Sequence, residues 1–168
     1  YGEAEVSLPG GCAIGARPVN LHIKGLESMG ATIEVESGYV KAKAPHGLMG
    51  AEIRLDIASV GATENLIMAA VLAKGRTLIR NAATEPEIVD LITCLVSMGA
   101  KIHVLGSSIV EIVGVEKLES VSHRIIGDRV EAGTFLIAGA AVGGKIKVQG
   151  FDPNHLTIVL DKLRLSGA

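Results

Sequence analysis

Tryptophan is absent, phenylalanine and tyrosine occur twice each, and cysteine occurs at two positions, Cys12 and Cys94. Each scarcity argues against a class of function. With only two Phe and two Tyr, a platform on which bases could stack is not expected. No Lys/Arg-rich run is present and the formal net charge is −2, so the electrostatic footprint of a general nucleic-acid binder is missing. Two cysteines make no disulfide framework, and no CxxC or Cys/His cluster has zinc-ligand spacing. The five histidines, His22, His46, His103, His123 and His155, are scattered along the chain. No apolar run reaches the roughly 18 residues of a membrane span, and no signal peptide opens the sequence. The expectation is a soluble protein of a reducing cytoplasm, with no nucleic-acid partner, no membrane and no metal.

What is present is a globular composition, 48% hydrophobic and 20% charged over 168 residues. That length supports one full core and part of a second. The most informative stretch runs Gly10-Gly11-Cys12-Ala13-Ile14-Gly15-Ala16-Arg17-Pro18. Glycines allow positive φ and close approach to a ligand. Pro18 suits a first helical turn, and Arg17 carries a fork of donors for phosphate or carboxylate. A thiol at Cys12, beside a guanidinium and a helix start, sits where thiolates become reactive. Arg17 at a helix N-terminus opposes the macrodipole, a conflict that a bound anion would remove. The plainer alternatives are a buried, inert cysteine and an ordinary Gly/Pro turn.

A second signal is repetition. Leu26-Glu27-Ser28-Met29-Gly30-Ala31 returns as Leu95-Val96-Ser97-Met98-Gly99-Ala100 and, more loosely, as Leu163-Arg164-Leu165-Ser166-Gly167-Ala168. The glycines lie 69 and 68 residues apart, each after an apolar-periodic run, which is the signature of a helix stop. A fixed period of this kind means a repeated supersecondary unit. Within it the pattern predicts two strands, as at 101–105 and 108–113, then a further strand near 52–55 or 122–126. A helix of small apolar residues follows, then a strand near 77–79 or 145–148, then the amphipathic helix. Thr84 to Glu87 and Asp128 to Glu131 read as capping boxes, and Asp152-Pro153 as a cap with an N1 proline. Leu66 to Ala73 and Phe135 to Val142 lack a polar face, which predicts helices buried all round. The alternation of Lys41, Ala42 and Lys43 and of Glu34, Val35 and Glu36 predicts sheets with one wet face.

Four motifs in this order resemble the UDP-N-acetylglucosamine enolpyruvyl transferase family: Ser7 to Val19 with its Cys loop, Asp56 to Thr63, Asn81 to Asp90, and Asp128 to Thr134. The resemblance spans essentially the whole chain. It implies an α/β fold, an inside-out α/β barrel built from six βαβαββ units in two domains, with helices buried and sheets outside. It also implies that this chain holds about two and a half of those units. Residues 1–126 would form the Cys-loop, nucleotide-sugar-binding domain and residues 127–168 would begin the second domain. The rest of the same enzyme chain is then the expected partner, and the isolated piece is expected to be inactive.

The family transfers the enolpyruvyl group of phosphoenolpyruvate to the 3′-hydroxyl of UDP-N-acetylglucosamine, the first committed step of bacterial peptidoglycan, and it needs no cofactor. The methylene carbon is protonated while the hydroxyl attacks its neighbour, so a proton donor is required on a loop that closes over the site. By resemblance Cys12 is that donor and the residue alkylated by fosfomycin. Arg17 would contact anionic substrate groups, and Pro18, Val19, Asn20 and Leu21 the uridine nucleotide. Ser59, Val60 and Gly61 match a diphosphate-binding turn, whose alternative is a plain N-cap. Asp128, Arg129 and Glu131 match polar residues at the inter-domain hinge, some of which line the cleft; a capping box is the alternative. A thiol is mostly protonated at neutral pH, whereas Arg17 would draw it towards thiolate; both states stay open. Asn20 stands where many members have Asp, and Ile57 where one branch has Lys. Two other classes compete: an enolpyruvylshikimate phosphate synthase, which lacks the Cys loop, and an RNA 3′-terminal phosphate cyclase-like ligase, which needs a nucleotidylated His and a more basic surface.

Overall fold

Three helices end in the same way. In the computed structural model, which describes residues 2–10 and 19–168, Gly30, Gly99 and Gly167 all take left-handed φ, between +91° and +98°. The following amides of Ala31, Ala100 and Ala168 donate back to the carbonyls of Leu26, Leu95 and Leu163. The glycine amides donate to Glu27, Val96 and Arg164. This is one Schellman ending made three times, so the sequence repeat is a structural repeat.

By compactness the chain falls into two units, residues 1–121 and 122–168. The first holds β1 (Glu3–Ser7), α1 (Asn20–Ser28), β2 (Thr32–Glu36), β3 (Tyr39–Lys43), β4 (Glu52–Arg54), α2 (Val60–Ala70), β5 (Arg76–Arg80), α3 (Pro86–Ser97), β6 (Lys101–Leu105) and β7 (Ile109–Val113). The order α1-β2-β3-β4-α2-β5 is one period, and α3-β6-β7 opens the next.

The strands form two sheets. One is antiparallel, ordered β1-β3-β2, with Lys41 of β3 opposite Glu5 on one side and Glu34 on the other. Opposite charges at facing positions fix its register. The other is mixed, ordered β4-β5-β7-β6, with β4 and β5 parallel and the remaining pairs antiparallel. Its inner face supplies Ile53, Ile79, Ile102, Val110 and Ile112 to the core, which α2 closes with Ala62, Leu66, Ile67 and Ala70. Ion pairs of Arg76 with Glu111 and Arg80 with Glu52 lie across neighbouring strands. In this sheet inward apolar and outward charged residues alternate, giving one wet face; in the β1-β3-β2 sheet, where 34–36 and 41–43 predicted it, Val35 is 52% exposed and β1 is exposed throughout.

The second unit holds α4 (Arg129–Ala141), a 3₁₀ turn (Pro153–Leu156) and α5 (Thr157–Leu165). Asp152 caps that turn through the amide of Asn154 at 2.9 Å. Residues 122–126 and 145–148, predicted as strands, form no ladder. In the first unit β5 is paired on both sides, by β4 and β7; among the described residues no hairpin flanks 145–148, and an isolated parallel pair is weak.

Two further expectations are corrected. The helices of small apolar residues are not buried all round: Met68 and Leu72 are 46% and 55% exposed, and Phe135 and Ile137 are half exposed. Composition determines which faces can be buried, not which ones find a cover. The box at Thr84 also shifts by one residue. Pro86 takes the first helical position, so Glu85 becomes the N-cap of α3, without a side-chain cap bond. The fixed φ of proline decides where that helix starts.

Candidate functional site

The site is built where two helices begin. Helix α1 starts behind Val19, its N-cap, whose side chain has no acceptor to offer, and no acidic residue lies in its first turn. Helix α2 starts behind Ser59, whose extended backbone (φ −129°, ψ 119°) lets Oγ accept from the Ala62 amide at 3.3 Å. Its first turn is likewise free of acidic residues. Each start therefore presents amide donors and the positive end of a helix dipole.

Gly25 and Leu66 bring the two starts together. A Cβ on Gly25 would lie 2.4 Å from Cδ2 of Leu66, and Leu66 is fully buried, so the absence of a side chain is what lets α1 seat against α2. As a result the imidazole of His22, in the first turn of α1, lies over Gly61 in the first turn of α2. Its Cε1 and Nε2 are 3.7 and 3.9 Å from the place a Gly61 side chain would occupy. Nδ1 of His22 is 2.7 Å from Nδ2 of Asn65. Beside this, Leu21, Lys24, Arg54 and Asp56 line a cavity of about 420 Å³, in which Lys24 and Asp56 form an exposed ion pair at 3.3 Å.

Among the sequence-predicted residues, Asn20 and Leu21 stand in the first turn of α1 behind Val19, and Val60 and Gly61 in the first turn of α2 behind Ser59; His22 over Gly61 joins the two turns. Asn20 and Gly61 are exposed and Ser59 is half-buried, while Leu21 and Val60 lean on the core. Cys12, Arg17 and Pro18 lie outside the described residues. Ile57 is exposed close to the Ser59 turn. In the second unit Asp128 caps α4, Oδ1 accepting from the amides of Val130 at 2.8 Å and Glu131 at 3.0 Å. Asp128 and Glu131 also line a cavity of about 280 Å³ with Phe135, Gln149 and Phe151. A capping role and a lining role therefore coexist. Among the described residues no group of His, Cys, Asp and Glu could hold a metal, and no helix is long and apolar enough to cross a membrane.

His22 and Asn65 were not among the sequence candidates. The usable signal was spacing: Gly61 and Asn65 are four apart on one helix face, and His22 directly follows the segment 17–21. Chemically the pair of helix starts offers hydroxyl, amide and imidazole donors with no acidic residue in either first turn, an arrangement suited to phosphate oxygens.

The family described as EPSP synthase (3-phosphoshikimate 1-carboxyvinyltransferase) matches residues 1–168. A UDP-N-acetylglucosamine 1-carboxyvinyltransferase from Pseudoalteromonas atlantica is 60% identical over all 168 residues, and one from Shewanella pealeana is 58% identical. The chain spans about 40% of the length of each. Among solved structures, the enolpyruvyl transferase NikO from Streptomyces tendae superposes with a TM-score of 0.68 at 24% identity, over 82% of this chain and 33% of its own. EPSP synthase from Acinetobacter baumannii gives 0.61 at 23% identity, over 81% and 31%. These two likenesses carry the α/β fold.

Proposed function

Because the chain belongs to the EPSP synthase family, we propose that it carries the nucleotide-sugar part of a site that moves the enolpyruvyl group of phosphoenolpyruvate to the 3′-hydroxyl of UDP-N-acetylglucosamine, releasing phosphate. The observation that carries this reading is the pair of helix starts, free of acidic residues in their first turns, with His22 laid over Gly61. A diphosphate between them would accept from the amides of Val60 and Gly61 and from His22, while Val19, Asn20 and Leu21 meet the uridine. Sequence identity of 60% to a UDP-N-acetylglucosamine enzyme, against 23% to a solved EPSP synthase, favours the nucleotide sugar over shikimate phosphate.

In this reading Cys12 gives the proton to the methylene carbon and Arg17 holds an anionic substrate group. Asp128 and Glu131 are substrate-binding residues of the second unit. Residues 1–126 form the Cys-loop domain and 127–168 open the second domain of an inside-out barrel, in the bacterial cytoplasm. The remaining length found in the relatives supplies the other groups, so this chain alone binds nucleotide sugar weakly and turns over nothing.

Phosphate release from the two substrates is measured for this chain alone and after completion with the remaining segments of a relative. Turnover by the completed protein only is expected; turnover by the 168 residues alone overturns the division of labour. Fosfomycin labelling read by mass should fall on Cys12 of the completed protein and rise with UDP-N-acetylglucosamine. Labelling that spares Cys12 would leave the loop a scaffold.

A further inference from the structure

Asn65 stands in the interior of α2, on an exposed position, where asparagine is a poor choice: its side chain competes for backbone hydrogen bonds and favours caps and turns. Nothing in the core needs it. Its amide is spent on one partner, with Nδ2 placed 2.7 Å from Nδ1 of His22. In this orientation of the Asn65 amide Nδ2 donates and Nδ1 of His22 accepts. A neutral imidazole carries a single N–H, and that hydrogen is then on Nε2. Nε2 is the ring nitrogen close to Gly61, at the first turn of α2.

We propose that Asn65 is a positioning residue for nucleotide binding, holding His22 as the Nε2–H tautomer so that its one donor faces the paired helix starts. The inference rests on the reading that these starts take a diphosphate. The opposite tautomer would turn a lone pair towards phosphate oxygens and repel them. Asn65 touches no ligand in this arrangement. It acts through His22, as the partner of a metal-bound histidine fixes the ring's orientation and tautomer. The spacing explains why this residue serves: Gly61 and Asn65 are four apart on the same face of α2, and Gly25 lets α1 come near enough for its first-turn histidine to span both.

Two measurements test this, NMR on this chain and calorimetry on the protein completed with the remaining segments of a relative. Imidazole nitrogen NMR without ligand should show His22 protonated at Nε2 and accepting at Nδ1. Asn65→Ala should give a mixture of tautomers. Asn65→Asp, which replaces the donor by an acceptor, should move the proton to Nδ1. Calorimetric titration with UDP-N-acetylglucosamine should then show Asn65→Ala weakened about five- to tenfold, the value of one modest hydrogen bond, with an unfolding midpoint no lower than that of the unmodified chain. Asn65→Asp should be weaker still. In a His22→Ala background, Asn65→Ala should have no further effect, since a residue that acts through the ring has nothing left to act on.

An Nδ1–H signal in the unmodified chain overturns the inference. So does an Asn65→Ala chain that binds as tightly as the original, or one whose loss persists undiminished without His22. Those results leave the functional reading intact. Failure of the unmodified sequence, completed with the remaining segments of a relative, to bind the nucleotide sugar removes the functional reading, and this inference with it, whichever tautomer is seen.

Discussion

Helices α2 and α4 occupy the same place in successive repeats and meet different fates. Leu66 and Phe135 stand equally far from their caps, Ser59 and Asp128, yet Leu66 is fully buried and Phe135 is 51% exposed. Around α2 the strands on both sides form a ladder, β4 with β5; around α4 the corresponding segments do not. Two side-chain hydrogen bonds mark the difference. Thr63 Oγ1 accepts from the Ala83 amide at 3.0 Å, tying α2 to the turn after β5. Asn81 Nδ2 donates to the Leu55 carbonyl at 3.0 Å, tying that turn to the end of β4. One repeat later the corresponding residues are Ala132 and Gly150, which carry no such groups. Asn81 and Gly150 both take left-handed φ, +58° and +92°, so the backbone turn is kept while its fastening is lost. Pattern sets an element's type, and around α2 the paired strands and these two polar anchors hold it.

The sharpest way to break this contrast is to empty the equivalent position in each helix. Leu66→Ala should cost about 3 kcal/mol, within the range for a buried leucine, whereas Phe135→Ala should cost less than about 1 kcal/mol. Urea unfolding of the two variants measures both, and equal losses would erase the distinction. Next in size is Thr63→Val, which leaves the Ala83 amide buried without an acceptor. A loss of about 2 kcal/mol is expected, with faster hydrogen exchange at Ala83.

Smaller again is Asn81→Gly, which keeps the left-handed turn and removes only the bond to Leu55. About 1 kcal/mol should be lost, and the β4–β5 amides should exchange faster while those of α4 stay unchanged. The smallest effect has the opposite sign. Thr77 is 1% exposed and its hydroxyl has no hydrogen-bond partner among the described residues. Thr77→Val on β5 should therefore raise the unfolding free energy measured in urea by up to about 1 kcal/mol.

The repeat, the three glycine endings and the strands of the first unit were legible in the residues, because each is a local rule of spacing and φ. The motif order also led to the right family. His22 and Asn65 were not legible as a pair. They lie 43 residues apart on different helices, and nothing in either neighbourhood names the other.

Periodicity, capping residues and helix stops thus determined which segments are helix or strand and which faces are apolar, since these follow from backbone sterics and from neighbours three or four residues away. Tertiary structure alone decided that α1 and α2 start side by side, that α2 finds cover where α4 does not, and that one histidine spans two helix starts. Those outcomes depend on the missing side chain at Gly25, on the hairpin that flanks β5, and on hydrogen bonds between residues far apart in the chain. Such long-range contacts are set by packing, which no local pattern encodes.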